Sequence, residues 1–452
     1  MDRNVHRRKF LATMGLAAAS GLTPSLGASA NKNSKLRILQ VGVGGIGGMD
    51  RNALVKHPKV EIAGLCDVNQ RTLDKVAKGF PKAKTYNDCR VAYEKDMDDY
   101  DAVLVCTPDH THAVMALHAL AQDKHLYLQK PVVHQLDEVR MLRKAIAAKP
   151  GLATQMGNQR SEKAGRNQAI AIIRSGALGK VTSAWAWTGK VAKNTYFNGP
   201  WLEKYPDGQP VPSHIKWDLW KHCYTGDVPF NNILADKKWR TYWEFGGGQL
   251  TDWCCHLLDV IYLALDLEGP IAVQTDTPKP ATAIGHSAYN QSRITYNKTA
   301  FTKGDHFIIH YNDNDIHPSN AETGIPLGSR FGTNRTIFVC ENGTLVLGAN
   351  GDLQIFQNGK RVKDFPMPKV APRKHWNEWV DNCFGAKNEL LGRLEIGTGV
   401  TEAGLLATKA TRYPNRELVW DSKACRFKDD APNKRLLKRE YRDGFKPPAE
   451  FV

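Results

Sequence analysis

From residue 36 onward, short wholly apolar runs alternate with longer stretches in which apolar residues recur at helical spacing. Runs of four to eight apolar residues suit strands buried on both faces, and the longer stretches suit helices that cover them. The pattern predicts strands at 36–43, 60–66, 102–106, 125–129 and 152–156, with helices at 46–56, 70–79, 112–122 and 136–147. That succession is the mark of a doubly wound parallel sheet, an α/β fold. After Gly157 the alternation stops, and aromatic-rich segments such as 185–187 and 217–220 take over. An α+β domain is expected there, with a large, mainly antiparallel, open-faced sheet that includes strands near 181–187, 306–310, 336–340 and 343–347. The turn-rich segments 194–212 and 312–332 are long enough to carry function.

At 452 residues the chain exceeds one ordinary core. The expected division is a leader at 1–30, a doubly wound domain at 36–157 and a substrate-binding and oligomerisation domain at 158–452, whose C-terminal helices are placed to pack back on the first. In the leader, Arg7-Arg8-Lys9-Phe10-Leu11 precedes a weakly apolar run at 11–26 and ends in Ala28-Ser29-Ala30. This reads as a cleavable twin-arginine signal, which predicts a periplasmic protein with no membrane anchor after cleavage. Twin-arginine export carries folded chains, so a tightly held cofactor can be loaded beforehand.

The net charge is +16, of which the leader supplies +3. No stripe of Lys and Arg interleaved with aromatics occurs, so nucleic acid is not an expected partner. The basic stretch 434–439 reads as a solvated face, with attraction of an anionic substrate as the lesser reading. Nine cysteines without a C-x-x-C pair imply neither a disulfide framework nor a zinc ribbon, and Cys254-Cys255 are expected to be buried thiols.

Val41-Gly42-Val43-Gly44-Gly45-Ile46-Gly47 follows a predicted strand and opens a predicted helix, the context in which G-x-G-x-x-G points to a dinucleotide. Gly42 allows the tight turn, Gly44 lets the backbone approach a pyrophosphate, and Gly47 lets helix and strand pack closely. Gly45 and Ile46 complete the loop at the helix N-terminus, where unpaired N–H groups face phosphate. Asp67, twenty residues after Gly47 at the end of the second strand, can accept the adenosine ribose hydroxyls and repels a 2′-phosphate. NAD is favoured over NADP.

Two further segments end strands of the same sheet, where ligands of open α/β folds bind. They are Cys106-Thr107-Pro108-Asp109-His110-Thr111-His112 and Gln129-Lys130-Pro131. Together with Gly157-Asn158-Gln159 and the segment Gly246-Gly247-Gly248 through Asp252, His256 and Asp259, they make the chain resemble the glucose-fructose oxidoreductase, inositol dehydrogenase and rhizopine-catabolism family (Gfo/Idh/MocA) from about Leu36 to its end. The likeness is strongest to the exported branch with twin-arginine leaders, which shares the run Trp217-Asp218-Leu219-Trp220. The resemblance implies a Glu-Lys-Pro motif whose Lys, here Lys130, sits beside the nicotinamide and whose Lys–Pro bond is cis. Gln129 replaces the Glu and supplies an amide without charge. Thr107, Pro108, His110, His112, Gln129, Lys130, Asn158 and Gln159 are expected to touch the cofactor, and Asp109 to cap a helix.

Hydride transfer from a carbinol needs a base for the hydroxyl proton and a donor to hold the oxygen. Lys130 is assigned to the oxygen and His256 to the proton. Asp252 stands at i, i+4 from His256, so it shares a helix face and is assigned to orient the imidazole or bind a neighbouring hydroxyl. Metal ligation by Asp252, His256 and His222 is the competing reading; with no H-x-x-x-H set, no metal is expected. Trp185, Trp187, Tyr196, Trp201, Trp217 and Trp220 suit a core, and their faces also suit sugar rings. The expected function is an NAD(P)-dependent oxidoreductase acting on a sugar or polyol-like substrate. The alternatives are an NAD-assisted glycoside hydrolase and a non-catalytic sugar-binding protein. A homodimer or homotetramer is expected from the open sheet face.

Overall fold

The computed structural model describes residues 35–190 and 202–452. The leader at 1–30, Tyr196, Trp201 and the start of the loop expected at 194–212 lie outside the described residues. Six strands form the first sheet: Leu36–Val41 (β1), Val60–Cys66 (β2), Lys84–Tyr86 (β3), Ala102–Val105 (β4), His125–Leu128 (β5) and Thr154–Met156 (β6). All are parallel in the order β3-β2-β1-β4-β5-β6, the doubly wound arrangement. The central strands are buried on both faces, as the apolar runs required: every side chain of β4 is covered.

Sequence reading missed β3 and the helix Cys89–Lys95 that follows it. The strand is three residues long at the sheet edge, with Lys84 and Thr85 exposed, so it leaves no apolar run to detect. The helix does carry a readable signal, because Asp88 accepts from the Arg90 amide at its N-cap.

A ten-stranded sheet follows. Its strands are Val181–Trp187 (β7), Ala272–Asp276 (β8), Gln291–Asn297 (β9), His306–Asn312 (β10), Arg335–Cys340 (β11), Gly343–Gly348 (β12), Leu353–Gln357 (β13), Lys360–Val362 (β14), Leu418–Asp421 (β15) and Arg426–Phe427 (β16). The order is β14-β13-β12-β11-β7-β10-β9-β8-β15-β16, and every pairing is antiparallel except β7 with β10. The buried helix Leu394–Ala410 packs against both the helix Leu136–Ala148 of the first sheet and the helix Gly248–Leu257, so it fastens the two sheets together. Trp379 and Val380, on the helix His375–Cys383, enter the core beneath β1 and β2. All nine cysteines are buried free thiols, including Cys254 and Cys255.

Candidate active site

The chain leaves β1 through Gly42 at φ +84°, where a Cβ would stand 2.5 Å from the Cys106 carbonyl oxygen. A Cβ on Gly47 would stand 2.2 Å from the Gly42 oxygen, so the helix Gly45–Leu54 approaches its own loop as closely as backbone allows. Gln40 braces the turn by donating to the carbonyls of Gly42 (3.0 Å) and Gly47 (2.9 Å), and Arg51 donates to Val43 (2.9 Å). The helix start faces a cleft of about 630 Å³ lined by Gly42, Gly44, Gly45, Ile46, Thr107 and Pro108 on one side. Asp67 lines it too, accepting from the amides of Val43 and Asn69 at 2.9 Å each. Burial raises the Asp67 pKa against the pull of those bonds.

The opposite wall comes from far along the chain. Residues 214–216 run beside the end of β2: Asn69 and Ile215 form an antiparallel bridge, Gln70 donates to His214 (2.8 Å) and Lys216 donates to Val68 (2.9 Å). Ile215, Leu219 and Trp220 of this strap, with Phe445 of the C-terminal tail, line the cleft. Arg442 fastens the tail to the strap through Asp218 (2.7 Å) and the Cys223 carbonyl (3.1 Å). A helix start with open amides, glycines without room for a Cβ and a carboxylate at the end of β2 together fit a dinucleotide.

Beyond Arg240, which also lines the cleft, lies the group of residues singled out for chemistry. The Lys130 ammonium donates to the backbone oxygen and to Oδ1 of Asp252, both at 2.9 Å, and the Lys130–Pro131 bond is cis. Arg240 Nε reaches the same Oδ1 at 3.1 Å. Burial raises the Asp252 pKa, but Lys130 and Arg240 outweigh it and hold the carboxyl well below the usual range. Asp252 therefore anchors Lys130 and not His256, which corrects the role inferred from i, i+4 spacing: the ammonium and the guanidinium are stronger partners for its charge than an imidazole.

Asn158 orients the imidazole instead. Its amide nitrogen lies against two acceptors, the Cys255 carbonyl (2.6 Å) and Asp259 Oδ2 (2.5 Å), so its oxygen must be the atom 2.9 Å from His256 Nδ1. Nδ1 then carries the proton and Nε2 keeps the lone pair. Burial, then the nearby charges of Lys130 and Arg160, push the His256 pKa well below its ordinary value, so the ring is a neutral base with one defined face.

Other expected cofactor contacts sit elsewhere. His110 is fully buried between Trp220 and Phe245, with Nε2 on the Trp220 carbonyl at 3.0 Å. Both His112 nitrogens lie against carbonyl oxygens, of Pro131 (2.6 Å) and Thr107 (2.7 Å), and shape the cleft wall from behind. Asp109 accepts from the Gly247 amide (3.2 Å) and caps nothing locally. Gly47 packs under the loop, and Gln159 keeps a buried amide oxygen without a partner.

Gln129 turns away from the cleft to a residue that sequence reading missed. Asp50, fully buried, accepts from Gln129 Nε2 (2.6 Å), Trp376 Nε1 (3.0 Å), the Tyr127 hydroxyl (3.3 Å) and the Cys106 thiol (3.6 Å). The carboxylate that the Glu-Lys-Pro pattern places at 129 thus stands on the neighbouring helix, with an amide donating to it. Nothing local in the sequence marks Arg240 or Asp50, since each acquires its partners only through folding.

Residues 36–157 match the family described as oxidoreductase family, NAD-binding Rossmann fold, and residues 168–320 match its C-terminal alpha/beta domain. A glycosyl hydrolase family 109 protein of Shewanella pealeana is 32% identical over 162 residues, 30% of this chain and 35% of that relative. The chain thus matches about a third of that relative's length. Among solved structures, the WlbA dehydrogenase of Bordetella pertussis, in complex with NADH and UDP-GlcNAcA, has 14% identity and a TM-score of 0.59, covering 86% of this chain and 99% of that one. The aldose-aldose oxidoreductase of Caulobacter crescentus, complexed with glycerol, has 14% identity and a TM-score of 0.56, covering 85% of this chain and 99% of that one. These two likenesses concern the fold.

Proposed function

We propose, for a chain that belongs to the Gfo/Idh/MocA oxidoreductase family, that it oxidises a carbinol of a sugar or polyol-like substrate with NAD held in the glycine-lined cleft. The observation that carries this reading is the pairing of an anchored ammonium, Lys130, with a neutral imidazole of defined tautomer, His256, past the inner end of that cleft. Gly42, Gly44, Gly45 and Ile46 would hold the pyrophosphate, and Asp67 the adenosine ribose. A carboxylate at that position favours NAD over NADP. The nicotinamide supplies the hydride acceptor. His256 Nε2 takes the hydroxyl proton, and Lys130 donates to the oxygen as the carbonyl forms, its ammonium held in place by Asp252.

The test is Lys130→Met. It should lower kcat by about 10²-fold or more while dinucleotide still binds, read by native mass spectrometry and nicotinamide absorbance with a sugar panel. Unchanged turnover overturns the assignment.

The glycosyl hydrolase name of the relative from Shewanella pealeana favours a second reading, in which the same groups oxidise a ring hydroxyl transiently, the aglycone is eliminated, and water and hydride return. Sugar release without net NADH would support it; accumulating NADH would support the dehydrogenase. A sugar bound without any turnover would instead indicate a non-catalytic sugar-binding protein. We further propose export of the folded, cofactor-loaded chain by a twin-arginine leader at 1–30 into the periplasm. Self-association into a dimer or tetramer is assigned to the outer face of the ten-stranded sheet, where Trp185 stacks on His310 at 3.8 Å.

A further inference from the structure

The basic stretch 434–439 is not simply a solvated face. Arg439 has only 9% of its side chain exposed and forms an ion pair with Glu138 at 2.7 Å; with its neighbours it lines a cavity of about 520 Å³ that shares no lining residue with the dinucleotide cleft. Besides Arg439, four cations border this cavity: Lys409 and Arg412 from the end of the helix Leu394–Ala410, and Arg435 and Lys438 from the C-terminal segment. Lys409 is only 8% exposed, and its one hydrogen-bond partner among the described residues is a neutral atom, Gln135 Oε1 at 2.8 Å. Arg412 donates to the Ala283 carbonyl (3.1 Å) and lies 4.3 Å over the Trp243 ring. None of these four forms an ion pair among the described residues, whereas Arg143, Arg166 and Arg439 each face a buried carboxylate.

Two carboxylates, Glu244 and Glu440, also border the cavity; with Arg439 balanced by Glu138, the other four cations leave an excess of two positive charges. A buried cation without a counter-ion is costly, and an ammonium and a guanidinium that each use one donor have several left to offer. We propose that this cavity binds an oxyanion, a sulfate or phosphate group, with Lys409 and Arg412 as its principal donors. The volume exceeds that of a bare ion, and Trp243 and Tyr224 stand at its walls, so a sugar carrying the group also fits. Burial, then the charges of Arg439 and Arg412 against those of Glu138 and Glu244, push the Lys409 pKa down to about 8. An arriving anion reverses that shift, so binding near pH 8 takes up protons.

Titration calorimetry on the full chain tests this at constant ionic strength, with sodium sulfate, sodium phosphate, glucose 6-sulfate and neutral glucose as probes. The expected result is heat with the anionic probes and none at this site with glucose. Arg412→Gln and the exposed double variant Arg435→Gln/Lys438→Gln should each weaken binding about ten-fold or more. Lys409→Met should abolish the proton uptake seen at pH 8 in Tris against HEPES. Equal affinity of free sulfate and glucose 6-sulfate assigns the site to the ion, and tighter binding of the sugar assigns it to a sulfated saccharide. No binding of any anionic probe, or the same affinity in parent and both arginine variants, overturns the proposal. The double variant changes exposed side chains only, so misfolding cannot account for its result. Dinucleotide binding, measured in parallel, should be unchanged in all variants, so this proposal and the cofactor reading can fail separately.

Discussion

His256 owes its character to its surroundings: Asn158 fixes which nitrogen is protonated, and burial, then the charges of Lys130 and Arg160, keep the ring from acquiring a second proton. Its protonation therefore falls below the ordinary 6.5. The acid limb of a kcat/KM profile should lie below that value, and His256→Ala should lower kcat by about 10²–10⁴-fold. A limb centred above pH 7 would show that another group is the base. Gln129 is the position where sequence reasoning has least to say, because an amide lacks the charge of the Glu in the motif. The charge stands on Asp50, and only the packing of two elements reveals the exchange. Gln129→Glu alone would set two carboxylates against each other and should cost about 2–4 kcal/mol by urea denaturation. Adding Asp50→Asn should restore most of it; no rescue would mean that the two side chains do not act as a pair.

At the scale of elements, the first sheet was legible except at its exposed edge strand β3, because its other strands are largely buried and its helices are buried on one face. The glycine loop was legible because backbone geometry leaves residue type little choice. Gly47→Ala would drive a Cβ toward the Gly42 oxygen at 2.2 Å. It should destabilise the fold by about 1–3 kcal/mol in thermal unfolding and weaken dinucleotide binding, while Gly151→Ala, with nothing within 4 Å of its Cβ, should do neither. The second sheet was read in part, since β8, β9 and β13–β16 are short or mixed in polarity and owe their pairing to distant partners. The helix Gly248–Leu257 shows the limit of spacing arguments. Asp252 and His256 do share a face, but the spacing did not reveal that Lys130 and Asn158 would meet them there.

Across the whole molecule, burial holds several histidines neutral. His110, His286 and His375 are each pushed down to about 3, and His222 lies well below its ordinary value. The sign follows from linkage: below pH 6.5 the unfolded chain binds protons that the folded chain refuses, so stability falls as pH falls. The slope is about 1.4 kcal/mol per pH unit for each such histidine, and urea midpoints compared at pH 7.5 and pH 5 should decline steeply. A flat profile would mean that these rings are charged in the fold.

The strap and tail that cover the cleft have a consequence for timing. Arg442 and Phe445 leave the ribosome more than two hundred residues after the segment they fasten. A dinucleotide that arrives during translation meets an open groove, and a later one meets a groove already laced. On the export route proposed above, provisioning then becomes a step of biogenesis, finished in the compartment where nucleotides are plentiful.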